Sequence, residues 1–489
     1  MATTSPRGGA KGRTNLSTIT QGGAAPVVAD HDDPYHLTSD GIREPPVGWA
    51  HSLRHLGPGL ILSASIVGSG ELIATTTLGA RTGFVLLWMV IFSTFVKVAV
   101  QIELARWTIS TGQPALTGYN KVPPRLGRVG WINVLWAIMA LTKVLQIGGV
   151  VGGTAVALSL LLPIGGDPLG TLSITVWTLV TVVSAIVLLY SNNYSLIERG
   201  AVLLVVLFSI GTVVIALGLP LTPFAYSADD VLSGLTLAIP AGAVGIAIAM
   251  FGITGVGADE LTFYTYWCVE KGYARYVGPN DGSDAWKRRA RGWISVMYKD
   301  AFVSWCVYTF GTLAFYLMGA AVLHPQGLVP AGNDMIGTVS RMYTDTLGDW
   351  AGTLFLAGAV AVLGSTLWAS IPSWSRMYVN LLSEFGLIDW RNTRQRLRWI
   401  RIFTVGLPIV WGTAYLFIQS PVLMIQIGGV STGIFLLAVV IAAWYLRNTE
   451  TDPDIRGGTA FNALLVVSSV AIVLLGIYTG ANVLGLVAR

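Results

Sequence analysis

Charge is what this sequence has least of. Of its 489 residues only 11% are Asp, Glu, Lys or Arg, less than half the share of about 25% found in an ordinary soluble domain. Such a chain cannot coat itself for water. Cysteine is nearly absent too. Cys268 and Cys306 lie in or near apolar runs with no CxxC or Cys/His spacing, which excludes a disulfide framework and a thiolate zinc site and leaves two inert, buried thiols. With five histidines and no HExxH sequence, a zinc hydrolase finds no support, and no enzyme is expected.

What is present is apolar surface. Hydrophobic residues make up 53% of the chain and the mean hydropathy is +0.65. Apolar runs of 18 or more residues recur from Leu56 onward, each long enough to cross about 30 Å of hydrocarbon. In lipid every backbone polar group must be paired internally, so only helices or closed barrels can span, and these runs lack the alternation of barrel strands. The fold class expected is therefore all-α and transmembrane. Eleven spans are expected at roughly 56–80, 83–106, 131–162, 172–190, 196–219, 237–268, 300–323, 347–372, 400–418, 421–446 and 459–486.

The net charge of +5 does not signal nucleic acid, because Lys and Arg sit in short segments between apolar runs. Arg54, Lys121, Arg125 and Arg128, the group from Lys271 to Arg291, the group from Arg376 to Arg398, Arg447 and Arg456 fall in alternate connections. The positive-inside rule then places the N-terminus in the cytoplasm and the C-terminus outside, with the cell's inner membrane as the expected location. Residues 1–50, rich in Gly, Ser, Thr, Pro and Asp, read as a disordered cytoplasmic tail without a signal peptide's apolar core. Residues 273–299 read as a turn followed by a short basic interfacial helix or a solvated connector.

Two spans are interrupted by glycine and carboxylate: Val67, Gly68, Ser69, Gly70, Glu71, Leu72 in the first, and Val256, Gly257, Ala258, Asp259, Glu260, Leu261 in the sixth. The hexads match as V-G-x-x-E-L. Paired Gly-interrupted segments at corresponding places in two halves of a chain point to a transporter's binding site. Glycine lets a helix open, and the carbonyls this frees, such as that of Thr254, are tolerated in a membrane only where they face a solute or a cavity. Mid-span carboxylates cost about 2.5–3.5 kcal/mol each on insertion scales, and two of them 5 Å apart would repel by about 3 kcal/mol at an effective dielectric of 20. A cation, or a proton on one of them, relieves this. The bland alternative is that Glu71 and Glu260 are neutral packing residues.

Lys97 and Lys143 lie about a dozen residues into apolar runs, beyond easy snorkelling. Lys97 and Glu103 are six apart and do not share a helix face, so Lys97 needs a partner on another helix. If Lys143 neutralises Glu71 or Glu260, the cavity loses its preference for cations and a solute carrying a carboxylate becomes credible; Glu71 and Asp259 lying far apart, or either one capped by a lysine, would undo the metal reading.

Gly57, Pro58 and Gly59 opening the first span, Gly79 and Ala80 closing it, the run Glu103–Gly112, the run Gly153–Leu158, and Gly364, Ser365 and Thr366 together resemble the Nramp family of divalent-metal transporters. The likeness runs from about Leu56 to Val440. It implies the leucine-transporter architecture: one repeat over about 56–219, a second over about 237–446, an extra helix over about 459–486, and alternating access. At the site the sequence departs from the family. Gly68, Ser69, Gly70 and Glu71 stand where the family has Asp-Pro-Gly-Asn, and Gly257, Ala258 and Asp259 where it has Met-Pro-His. The family thioether is lost, and the remaining oxygens suit Mg²⁺ or Mn²⁺ better than softer ions, as in the branch of the family that includes magnesium transporters. Gln426 resembles a family glutamine near the metal, though packing or interhelical hydrogen bonding also accounts for it.

These observations lead to an expected carrier of a divalent cation, with Glu71, Asp259 and Glu260 as ligands. Gly68, Ser69, Gly70, Thr254 and Gly257 shape the break, and Lys143 and Gln426 are a possible charge partner and gate. The metal is cargo, no cofactor is implied, and the only partners expected are the cation and the bilayer. A carrier of a small organic anion or amino acid on the same scaffold is the alternative.

Overall fold

The computed structural model describes residues 33–190, 194–484 and 486; the side chains of Ser69, Tyr190, residues 194–205, Ala241 and Val483 lie outside the described residues. So does the expected disorder of residues 1–32.

Eleven helical spans follow in order. They are α1 (Pro58–Thr82), α2 (Leu87–Thr111), α3 (Trp131–Leu161), α4 (Thr171–Tyr190), α5 (Tyr194–Gly218), a sixth in two pieces, α6a (Val244–Ile253) and α6b (Ala258–Glu270), α7 (Asp284–Leu323), α8 (Trp350–Glu384), α9 (Thr393–Ile418), α10 (Pro421–Thr449) and α11 (Thr459–Val483). Ten are long and apolar enough to cross a membrane, and Val206–Leu221 adds a shorter apolar stretch in the fifth place. Between α2 and α3 a two-stranded hairpin pairs Arg125–Leu126 with Val129–Gly130.

Burial sorts the spans into layers. α1 and α6 are innermost, whereas α4, α9 and α11 are largely open and expose apolar side chains such as Val183, Ile409 and Leu474, as lipid-facing helices must. α3 runs through the middle against α4, α8, α9 and α10. Close approach depends on missing side chains, as is usual between membrane helices. A Cβ on Gly252 of α6a would stand 3.0 Å from the Gly433 nitrogen of α10, and one on Gly429 would stand 3.2 Å from the Ala249 carbonyl carbon. The start of α1 is held by Asp300 of α7, whose carboxylate accepts the Gly57 and Gly59 N–H groups at 2.9 and 2.7 Å and the Tyr264 hydroxyl at 2.9 Å.

Two expectations need correction. The stretch expected to be a short interfacial helix or a solvated connector is instead the beginning of α7: the Ser283 hydroxyl caps it by accepting the Trp286 N–H, and Trp286 and Trp293 are fully buried. A helix with two buried tryptophans is anchored in protein and does not float on lipid. The tail, expected to be disordered up to residue 50, is docked from Asp33 onward. Buried Asp33 meets Arg396 at 2.6 Å and the Thr393 hydroxyl at 2.7 Å. The Tyr35 hydroxyl donates to Glu270 at 2.9 Å, beside the Glu270–Arg376 ion pair. The Trp293 indole N–H donates to the Arg43 carbonyl at 2.9 Å. The segment thus stitches α6b and α7 to α8 and α9. Its composition hid this, because a few buried anchors suffice to order a polar stretch.

Burial alone would push the Asp33 carboxyl up, but the Arg396 guanidinium and the Thr393 hydroxyl hold it below the ordinary carboxylate range. A lowered value stabilises the docked state above the ordinary pKa, so this contribution is whole above about pH 4 and fades as pH falls further. At neutral pH, Arg396→Met should release the segment, and tryptic cleavage after Arg43 should accelerate about tenfold or more. An unchanged cleavage rate would show that Asp33 does not anchor it.

Candidate functional site

The two matching hexads fold differently. In α1 the helix stays continuous and widens into a π turn over Val67–Thr75. The carbonyls this misaligns are taken up locally: the Thr75 hydroxyl donates to the Gly70 carbonyl at 2.8 Å and that of Thr76 to the Glu71 carbonyl at 3.4 Å. The opening expected at Gly68 and Gly70 is thus a bulge, and these glycines serve close contact. The Gly68 N–H donates to Thr366 Oγ1 of α8 at 3.1 Å, and a Cβ on Gly70 would stand 3.2 Å from the Ile253 carbonyl of α6a. Of Ser69, only the backbone is described.

The sixth span does break. α6a ends at Ile253, Thr254 turns extended (φ −68°, ψ 125°), Gly255 takes φ +68°, and Gly257 precedes α6b with φ −82°, ψ 175°. The positive φ requires glycine at 255. The freed carbonyls of Phe251 and Thr254 are satisfied by α2: Lys97 Nζ donates to them at 2.7 and 2.6 Å, and the Ser93 hydroxyl at 3.3 and 3.0 Å. The partner sought for Lys97 is this backbone. Ser93 and Lys97, one helical turn apart, present one face of α2 to the break.

At the other lip, Asp259 and Glu260 occupy the first turn of α6b, where the helix dipole favours negative charge. Their carboxyl groups meet over Gly257: a Cβ there would clash with Glu260 Oε2 and stand 3.1 Å from Asp259 Oδ1. Lys143 of α3 pairs with Asp259, not with Glu71 or Glu260, at 2.7 Å, and also donates to Gln146 Oε1 at 2.7 Å; one of the two expected ligands is thus capped by a lysine, the arrangement that counts against a metal. Glu71 is fully buried; its Oε2 accepts the Thr75 hydroxyl at 3.2 Å, whereas Oε1 has no well-formed hydrogen bond, although the Gly255 N–H lies nearby. The nearby Thr312 hydroxyl donates to the Tyr308 carbonyl instead. Glu260 and Glu71 are the carboxylates acting most strongly on Lys97, so positive and negative groups alternate from Glu71 through Lys97 and the Asp259–Glu260 pair to Lys143. Three acids thus face two lysines; with all five ionised, one negative charge would be in excess.

The hydroxyls of Thr254 and Thr432 are buried without hydrogen-bond partners, as is Gln426 Nε2 on α10. Among the described residues no group of three or more His, Cys, Asp or Glu side chains is arranged to hold a metal ion. Gly429, Val430, Ser431, Thr432 and Gly433 have the GxSxG spacing of a serine nucleophile. They lie in mid-helix, however, where the Ser431 hydroxyl donates to the Gly428 carbonyl at 2.9 Å and also contacts Thr142. The strained turn of a nucleophile elbow is missing. Sequence reasoning missed Ser93, Gln146, Thr75 and Thr366. The first two could have been found from their i,i+4 and i,i+3 offsets to the buried lysines.

A sequence profile of the family described as Natural resistance-associated macrophage protein-like matches residues 59–482. Relatives include an uncharacterised protein of Pasteurella multocida, 26% identical over 345 residues, covering 68% of this chain and 72% of that one. The Divalent metal cation transporter MntH of Xanthomonas campestris pv. campestris is 28% identical over 319 residues, 65% of this chain and 66% of its own length. The Metal transporter Nramp3 of Arabidopsis thaliana is 26% identical and matches over 31% of its length and 34% of this chain. Among solved structures, a manganese transporter of Eremococcus coleocola superposes with a TM-score of 0.62 at 15% identity, covering 91% of this chain and 90% of its own. Mhp1, a nucleobase-cation-symport-1 family transporter, does so with a TM-score of 0.52 at 13% identity, covering 90% and 95%. At these identities the superpositions establish the fold.

The Lys143–Asp259 pair makes a specific demand on stability. Lys143→Met leaves a buried carboxylate without its cation and should cost about 3–5 kcal/mol, whereas Lys143→Met with Asp259→Asn should recover much of that. Thermal unfolding of the purified protein measures both. Purely additive losses would mean that the two side chains do not pair.

Proposed function

The chain belongs to the Nramp family, and from that premise we propose that it is a membrane carrier for a divalent metal cation, taken up where the α1 bulge meets the α6 break. One observation carries the reading. The acid of Glu71 is sealed in the protein interior with one oxygen lacking a well-formed hydrogen bond, in a site that sets three acids against two lysines. Uncompensated negative charge in a low dielectric is costly, and a cation relieves it. The described side chains do not form a metal-holding cluster as they stand; were Asp259, Glu260 and the unpartnered hydroxyls of Thr254 and Thr432 drawn in toward Glu71, the donor set would be all oxygen, which favours hard ions such as Mg²⁺ or Mn²⁺. Two relatives are named for divalent-metal and manganese transport, which supports the same class of cargo.

The lysines set the terms of uptake. Lys143 holds one Asp259 oxygen, so a metal must compete with an ammonium group already in place. The lysines then offset much of the negative charge between cargoes, and no bare cluster of carboxylates has to cross the transport cycle. Rocking of one helix bundle against the other would expose the site alternately to the two sides, with the N-terminus cytoplasmic in the cell membrane, as the distribution of Lys and Arg favours. Nothing in this scheme needs covalent chemistry.

A second reading rests on Lys143 and on the N-terminus of α6b: both attract carboxylates, so a small organic anion or amino acid could be the cargo. Uptake into proteoliposomes separates the two. Mg²⁺ and Mn²⁺ are expected to enter, Glu71→Gln should reduce their flux at least about tenfold, and Lys143→Met should retain metal flux per folded carrier. If metals never enter and Glu71→Gln and Asp259→Asn behave as wild type, the metal reading is wrong. Entry of an amino or dicarboxylic acid that is lost in Lys143→Met would establish the second.

A further inference from the structure

Lys97 is not explained by cargo. Among the described residues no carboxylate lies within ion-pair distance of its Nζ; instead the ammonium is held by the carbonyls of Phe251 and Thr254 at 2.7 and 2.6 Å, with the Phe251 ring centroid 5.0 Å away. It is fully buried. Ser93 Oγ lies against the same two carbonyls, and Glu260 and Glu71 supply the opposing charge. Two backbone carbonyls at a helix break, a hydroxyl, and carboxylates at longer range are the oxygen donors that proteins offer to a small inorganic cation. Here the two carbonyls converge on a nitrogen carried by the chain itself, and the Ser93 hydroxyl donates to the same pair.

We propose that the Lys97 ammonium is the permanent, tethered occupant of a monovalent-cation site at the α6 break, so that the carrier needs no coupling ion there. This rests on reading the two interruptions as the transport site, and it concerns the ion that the site does without, not the cargo. The carbonyls at the end of α6a need a positive charge in every state in which the helix is broken. A diffusible ion would supply it only at sufficient concentration, whereas a lysine on α2 supplies it always. A purely structural lysine capping a helix C-terminus would look the same in a single conformation, but it would not leave behind a site that an ion can fill.

The test uses the full-length protein, purified and reconstituted. Thermal unfolding of wild type and Lys97→Met is followed while NaCl replaces choline chloride at constant ionic strength. Wild type should be indifferent to the exchange. Lys97→Met should unfold at lower temperature in choline and recover saturably with Na⁺, and adding Glu71→Gln should raise the Na⁺ needed for recovery about tenfold. Equal unfolding of Lys97→Met in both salts, or recovery with Mg²⁺ or Mn²⁺ but not Na⁺, would overturn the proposal. Should Lys97→Met not fold, wild-type proteoliposomes still decide: cargo flux equal in Na⁺ and in choline supports the tethered cation, and Na⁺-dependent flux refutes it. A wild type that moves no metal but whose Lys97→Met variant responds to Na⁺ would sink the cargo assignment and leave this one standing.

Discussion

A helix broken inside hydrocarbon exposes carbonyls that nothing in the lipid can satisfy, and much of this structure is arranged around that debt. The Phe251 and Thr254 carbonyls draw Lys97 and Ser93 of α2 against the break. A buried ammonium in turn calls for carboxylates, and Glu71 and Glu260 stand within electrostatic reach. Asp259, crowded by Glu260 over Gly257, takes Lys143 from α3. Each group is tolerable only because the next is there, which is how a low-dielectric interior can hold five ionisable side chains together.

The same six-residue pattern gives a bulge in α1 and a true break in α6, and the difference lies just outside the match. In α1, Thr75 and Thr76 follow within a turn and return their hydroxyls to the Gly70 and Glu71 carbonyls, so the helix widens without parting. In α6, Thr262 and Thr265 also follow, but their hydroxyls return to the Ala258 and Thr262 carbonyls at 2.7 and 2.6 Å, inside α6b and past the break. Gly255, just before the hexad, takes a left-handed conformation that stops α6a. A repeat in sequence therefore marks where a distortion occurs, and the flanking residues decide its kind.

Much of the fold was legible because long apolar runs have few alternatives in a membrane, and the eleven segments overlap their expected places, although α7 begins 16 residues before its expected start and α8 ends 12 after its expected end. The carboxylates and both buried lysines were also visible, since charge in mid-span is conspicuous. Their pairing was not. Lys143 and Asp259 are more than a hundred residues apart, and no local rule says which of three acids a lysine will meet. The backbone as a partner for Lys97 was harder still, because a carbonyl has no signature in sequence. The docked segment after Asp33 escaped for a related reason: its anchors, Arg396, Glu270 and Trp293, lie far along the chain.

The helix α7 runs from Asp284 to Leu323, 40 residues, or about 60 Å at the usual rise, roughly twice the hydrocarbon thickness. Its near end therefore projects well past the membrane, carrying Trp293, which holds the Arg43 carbonyl, and Lys287, paired with Asp454 in the connection between α10 and α11 at 2.5 Å. Asp300, which fastens the start of α1, sits partway along the same rod. A rod gripped at Asp300 and loaded at its tip has the geometry of a lever: with an arm of about 24 Å, a tilt of about 5° would move the tip by about 2 Å.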